Sequence, residues 1–185
     1  MAARETTSAK KRCERGKCRL SFVKSQKQTN LRDEINKVVE ERNISEDDFK
    51  LVRLSRYEQI LVLIVDRFTS LNKTNINAWW WNYFAEPVYS CRPKSAFESL
   101  IKLIDEDELV WFVVEDERKA KEHFWLYEGK INSITTVLGE LPYREYYLVS
   151  KELEWIICEN HHNLLIGSGE AITSRMKLLE KQVEI

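Results

Sequence analysis

The chain has 185 residues, 43% of them hydrophobic, with six Trp, seven Tyr and seven Phe, and a formal net charge of −1. That apolar supply suffices for a full core, and a mean hydropathy of −0.46 is that of a soluble globular protein. The most apolar run, residues 60–65, is far short of the ~20 residues that span a bilayer, and no apolar stretch of signal-peptide length follows the N-terminus, which argues against membrane and secreted classes.

The charge is unevenly placed. Residues 1–30 carry nine basic side chains against Glu5 and Glu14, a balance of +7, whereas residues 31–185 carry 20 basic and 28 acidic groups, a balance of −8. The first thirty residues also lack Ile, Trp, Tyr and Asp. A composition shift of that kind predicts a basic, disordered arm over 1–30 and a single globular domain over 31–185. Lys10-Lys11-Arg12 and the Arg15, Lys17, Arg19 cluster give the arm phosphate-binding groups, so nucleic-acid binding through it is one functional alternative. Four cysteines at irregular positions (13, 18, 91 and 158) in a chain with ample core fit reduced thiols and a cytoplasmic setting.

The helical signals come first. Leu31, Ile35, Val38 and Val39 recur at helical spacing, with Asn43 as the stop. Ser45 with Asp48 resembles a capping box, and Ile44 with Phe49 a hydrophobic staple. They predict one helix running from there through Leu54, Tyr57, Leu61, Ile64, Phe68 and Leu71. The i,i+4 pairs Trp79/Tyr83 and Trp80/Phe84 predict a short helix before Pro87. Pro93 then opens a helix carrying Phe97, Leu100, Ile101 and Ile104.

Strand texture follows. Residues 109–115 (LVWFVVE) and 123–127 (HFWLY) read as strands. Ile131, Ile134, Val137 and Leu138 read as a helix closed by Gly139. Strands return at 145–149, 153–159 and 164–167, and an amphipathic helix carries Ile172, Met176 and Leu179. The short links between the last strands require antiparallel pairing. The predicted class is α+β, with N-terminal helices packed on a mostly antiparallel sheet of about four to five strands and a C-terminal helix.

Two places carry candidate binding residues. The first is Trp79-Trp80-Trp81. Three consecutive residues on a helix point in three directions, so not all can be core, and an exposed Trp is a strong anchor for a protein partner. The second is the polar knot Cys158-Glu159-Asn160-His161-His162 between two apolar strands. Asn160 and His161 fall at the hairpin tip, where Asn tolerates the positive φ of a tight turn, and Glu159, Asn160, His161 and His162 join the candidate partner surface. Cys158, His161 and His162, with distant His123, are the alternative metal ligands. Strand alternation places Cys158 among apolar neighbours, as an inert thiol.

The candidate enzyme lies upstream. Val114-Glu115-Asp116 ends one strand and Glu128-Gly129-Lys130 the next. The pattern resembles the core of PD-(D/E)xK nucleases, in which Asp116, Glu128 and Lys130 would hold Mg²⁺ and activate water. Gly129 places Glu128 and Lys130 in a turn. A metal-dependent hydrolase or nuclease, built on these three or on the knot, is therefore the enzymatic alternative. No Gly-rich phosphate loop, nucleophile elbow or zincin motif is present, and no cofactor is expected.

With the Trp run, the strands YYLVSKELEWIICENHHNLLIG and the acidic body in view, residues 50–180 resemble a small uncharacterised bacterial domain family. More loosely, the chain is similar to the α+β immunity proteins of bacterial polymorphic-toxin and contact-dependent inhibition systems. That resemblance implies a cytosolic, non-catalytic protein that covers the active site of a basic toxin. An acidic body would speed association with such a partner.

Overall fold

The computed structural model describes residues 30–71, 79–116 and 124–183. Residues 1–29 of the arm and His123 lie outside these residues. Among the described residues the fold is a seven-stranded sheet flanked by five α-helices. The α+β class agrees with expectation; the strand number does not. Seven strands replace the four to five expected, in the order β1-β4-β3-β5-β6-β7-β2, every neighbouring pair antiparallel.

The two additional strands are the two edges. β1 (Phe49–Leu51) pairs with β4 (Phe124–Lys130), and β2 (Val88–Cys91) pairs with β7 (Leu165–Ser168). The Ser45 signal, expected to start a long helix, closes one turn instead. Ser45 Oγ–H donates to Asp48 Oδ2 at 2.7 Å, and the Ser45 carbonyl accepts from the N–H groups of Asp48 and Phe49. The chain then extends, because Phe49 stacks on Tyr127 of β4 with ring centroids 5.0 Å apart. Tertiary packing overrides the local capping signal here.

Between the edges run β3 (Leu109–Glu115), β5 (Tyr146–Ser150) and β6 (Ile156–Glu159). Both faces of this antiparallel sheet are covered, so β5 is buried at every position, unlike the half-solvated antiparallel sheet that alternation usually signals. One face carries α1 (Leu31–Glu41), α3 (Ala96–Leu103), α4 (Ile131–Glu140) and α5 (Glu170–Val183), packed on Val110, Phe112, Tyr127, Tyr146, Leu148 and Ile157. α1 is capped by Asn30, whose side chain accepts from Asp33 N–H at 2.9 Å. α3 is capped by Ser95 rather than opened by Pro93.

The other face carries α2 (Tyr57–Phe68) and Trp80, packed on Trp111, Val113, Leu126, Tyr147, Val149 and Cys158. α2 buries Ile60, Leu61, Ile64, Val65 and Phe68 but leaves Leu63 exposed, so its apolar run is not covered all round. The Trp run forms a 3-10 helix, Trp80–Tyr83. Thr69 N–H is taken up by the Val65 carbonyl, and an isolated bridge from Thr69 to Phe84 ties the end of α2 to this turn. Both serve to place Trp79 and Trp81 above the open end of β5 and β6. Among the described residues no helix is long and apolar enough to cross a membrane.

Candidate binding site

The three tryptophans divide as three directions on a tight helix require. Trp80 is fully buried against Phe124 and Tyr147, with centroids 4.9 and 4.8 Å away. Trp79 is 52% exposed and Trp81 half-buried, and their rings stack at 6.4 Å. The knot meets them there. His161 lies 5.4 Å from Trp79 and 5.7 Å from Trp81, His162 lies 6.0 Å edge-on to Trp81, and the two imidazoles are 4.1 Å apart. Two segments about eighty residues apart in sequence thus build one exposed aromatic surface.

The loop that presents the histidines is held from inside. Asn160 is completely buried, and its Oδ1 accepts from the N–H groups of His162 at 3.0 Å and Leu164 at 3.1 Å. The Tyr143 hydroxyl donates to the Asn160 carbonyl. The positive φ expected at Asn160 is found at Asn163, where it is +56°. Asn160 is therefore the clamp of the turn and His161-His162-Asn163 its tip, an Asx-type arrangement.

Beneath the aromatic surface sits Glu145, 5% exposed. Its Oε1 accepts from Trp81 Nε1–H at 3.0 Å and from the Tyr147 hydroxyl at 2.9 Å, and its Oε2 from His161 Nδ1 at 3.1 Å. A carboxylate offers only acceptors, so this contact sets a proton on Nδ1. Burial pushes the Tyr147 phenol far above its ordinary range, helped by the charge of Glu145. Glu145 is the residue sequence reasoning passed over. Its signal was a charge at strand alternation with Tyr147 and Val149, on a face that is otherwise apolar. A cleft of about 360 Å³ opens beside it, lined by Trp79, Glu115, Tyr143, Arg144, Glu145 and His161.

Glu159 stands apart from this surface. It accepts from the Tyr146 hydroxyl at 2.6 Å and lines a second cleft with Arg92, Lys94 and Asn163. Cys158 is fully buried, and burial, then the Glu145 charge, pushes its thiol well above the usual range, which leaves it protonated and unreactive. The structure does not gather Asp116, Glu128 and Lys130. Asp116 is buried and its Oδ2 accepts from Trp125 Nε1 at 3.1 Å, one residue beyond the Glu115–Phe124 pair. Glu128 pairs with Trp111 four positions down the same ladder, which puts the two carboxylates about 16 Å apart along it. Gly129 and Lys130 belong to β4, not to a turn. Among the described residues, no three His, Cys, Asp or Glu side chains are placed to hold a metal ion.

The fold and site thus define an α+β protein with a helix-covered antiparallel sheet and an exposed Trp–His surface at one end. The chain belongs to a family of unknown function, DUF6756, which matches it over residues 27–180. The match extends beyond the 50–180 expected, into the last residues of the arm. No curated protein and no solved structure matches it.

Proposed function

We propose that this is a non-catalytic cytosolic bacterial protein that acts by contact with a basic protein partner, in the manner of an immunity protein neutralising a toxin. One observation carries the reading: Trp79, Trp81, His161 and His162 form a contiguous, partly exposed aromatic surface fixed from below by Glu145. Keeping a Trp half in water forgoes part of the burial energy, which for a fully buried large apolar side chain is about 1.5–3 kcal/mol. Trp is also the side chain most enriched where interfaces concentrate their energy. Glu145 fixes Trp81 and His161 before any partner arrives, which lowers the ordering cost of association. The formal −8 of residues 31–185 favours a basic partner.

The test is co-expression with the product of the adjoining gene. The chain should relieve that product's toxicity, and Trp79→Ala combined with His161→Ala should remove the relief while the protein stays folded. Full relief by the double variant would contradict the assignment of the surface.

A further inference from the structure

The two edges of the sheet end differently. β1 is three residues long, its Phe49 N–H is spent on the Ser45 carbonyl at 3.0 Å, and Lys50 stands on it in an ion pair with Glu128. Short length and charge both guard an edge against pairing. β2 reads Val88-Tyr89-Ser90-Cys91 and carries no charge within it.

Two hydrogen bonds fix how the backbone of β2 is turned. Gly169 N–H donates to the Pro87 carbonyl at 3.0 Å, so Pro87 faces β7. Val88 N–H is taken instead by Glu86 Oε2 at 2.9 Å, so Val88 faces the other way. Backbone groups alternate along an antiparallel strand, and with Tyr89 paired to Gly167 the next outward residue is Ser90. Among the described residues no strand lies beyond β2. The Val88 carbonyl and both backbone groups of the exposed Ser90 therefore point away from the sheet, a template for a further strand.

The charges at its ends say which strand. Two identical strands paired antiparallel are related by a twofold axis, so the edge must complement its own reverse. Glu86 lies four residues before Ser90 and Lys94 four residues after it, both exposed. Among the described residues neither forms an ion pair. Arg92 is committed elsewhere, its guanidinium donating to the His162 carbonyl at 3.3 Å. With Ser90 opposite Ser90, Glu86 of each copy comes opposite Lys94 of the other. Parallel pairing would set like charges side by side.

We propose that the chain forms a twofold dimer in which β2 pairs antiparallel with β2 of a second copy, with Ser90 at the axis. The two Ser90 residues exchange N–H···O=C bonds, a Glu86–Lys94 pair closes each end, and the two sheets become one. The inference does not depend on the partner reading above.

Sedimentation velocity of the full chain over a concentration series tests it. The parent should form a concentration-dependent dimer. Ser90→Pro removes the outward donor at a position where an edge strand accepts proline, so it should sediment as a monomer with an unchanged melt. Glu86→Lys and Lys94→Glu should each weaken dimerisation about tenfold, because each turns two attractions into repulsions. The two together should restore it. Hydrogen exchange gives the local readout: the Ser90 amide should exchange faster on dilution, while the Tyr89 amide, bonded to β7, should not. A monomer at every concentration, a dimer untouched by Ser90→Pro, or a double charge swap no tighter than the single ones would overturn the proposal. So would a monomer whose Ser90 amide is protected only when the adjoining gene's product is added, which would assign the edge to a partner's strand.

Discussion

Two carboxylates of the sheet, the half-buried Glu128 on β4 and the buried Glu145 just before β5, are handled in opposite ways. At the β1 end, Glu128 is met by lysines, Lys50 at 3.2 Å and Lys151 at 2.9 Å, while Lys130 is met by Asp48 at 3.1 Å and Asp107 at 3.8 Å. Charge is neutralised by charge. Beside the central strand β5, Glu145 is met by ring donors, an indole, a phenol and an imidazole. Those donors are the undersides of rings, and the upper sides of two of them face the surface. The first arrangement closes a sheet edge. The second holds the exposed Trp–His surface in place, because satisfying the carboxylate and orienting the rings are the same three hydrogen bonds.

That contrast can be broken at either end. The largest effect is expected from Glu145→Ala, which leaves the Tyr147 hydroxyl and the Trp81 and His161 N–H groups without their acceptor. Unmet buried donors of this kind should cost about 2–5 kcal/mol in denaturant unfolding. The same substitution should loosen Trp81 and His161, visible as loss of their ring-to-ring contacts. Glu145→Gln keeps one acceptor oxygen and should cost less.

Next comes Gly129→Ala at the β1 end. A Cβ there would stand 2.7 Å from Phe49 Cδ2 and 3.0 Å from the Asp48 carbonyl, so β1 must shift away from β4. A cost of about 1–3 kcal/mol is expected, as for overpacking, with partner binding untouched.

The smallest effects concern pH and have opposite signs. Burial alone would push the Glu128 carboxyl up, but the hydrogen bonds and charges of Lys151 and Lys50 outweigh it and hold it below its usual value. Its stabilisation is present above the unfolded carboxyl range, about pH 4.3, and is lost as pH falls through the lower folded value. Glu128→Gln should therefore be slightly less stable than the parent at neutral pH and equal to it in strong acid. For Glu159, burial outweighs the Tyr146 hydrogen bond and raises the carboxyl. Its contribution is present below the ordinary range and is lost as pH rises through the raised value. Glu159→Gln should gain stability at neutral pH, with the difference closing by about pH 4. Thermal melts across that range check both.

How much of this the sequence shows depends on the distance over which each signal acts. The five inner strands are legible because their apolar runs are their own. β1 and β2 are not, because each is a three- or four-residue edge defined by its partner: Val88 pairs with Ser168, eighty residues on, and Phe49 with Gly129. The Ser45–Asp48 pair is a true local signal that ends in one turn because the next residue is claimed by Tyr127. The candidate site follows the same rule. The Trp run and the doubled histidine each stand out in sequence, but their meeting does not. Glu145 is read there as the first residue of a strand, since nothing local reveals the indole and imidazole that fold onto it. Glu159 lies away from the Trp–His cluster for a simple reason of parity: it faces the same side of β6 as Ile157, towards Tyr146.

The central claim is that the Trp79–His161 end recognises a partner and the Gly129 end holds the fold. It is tested most directly by isothermal titration of the adjoining gene's product against Trp79→Ala and Gly129→Ala, each paired with its own melt. Trp79 is exposed, so Trp79→Ala should weaken binding at least about tenfold, the loss of one hot-spot side chain, with the melting temperature almost unmoved. Gly129→Ala should lower the melting temperature by about 2–12 °C with affinity unchanged. Unweakened binding by folded Trp79→Ala would contradict the account.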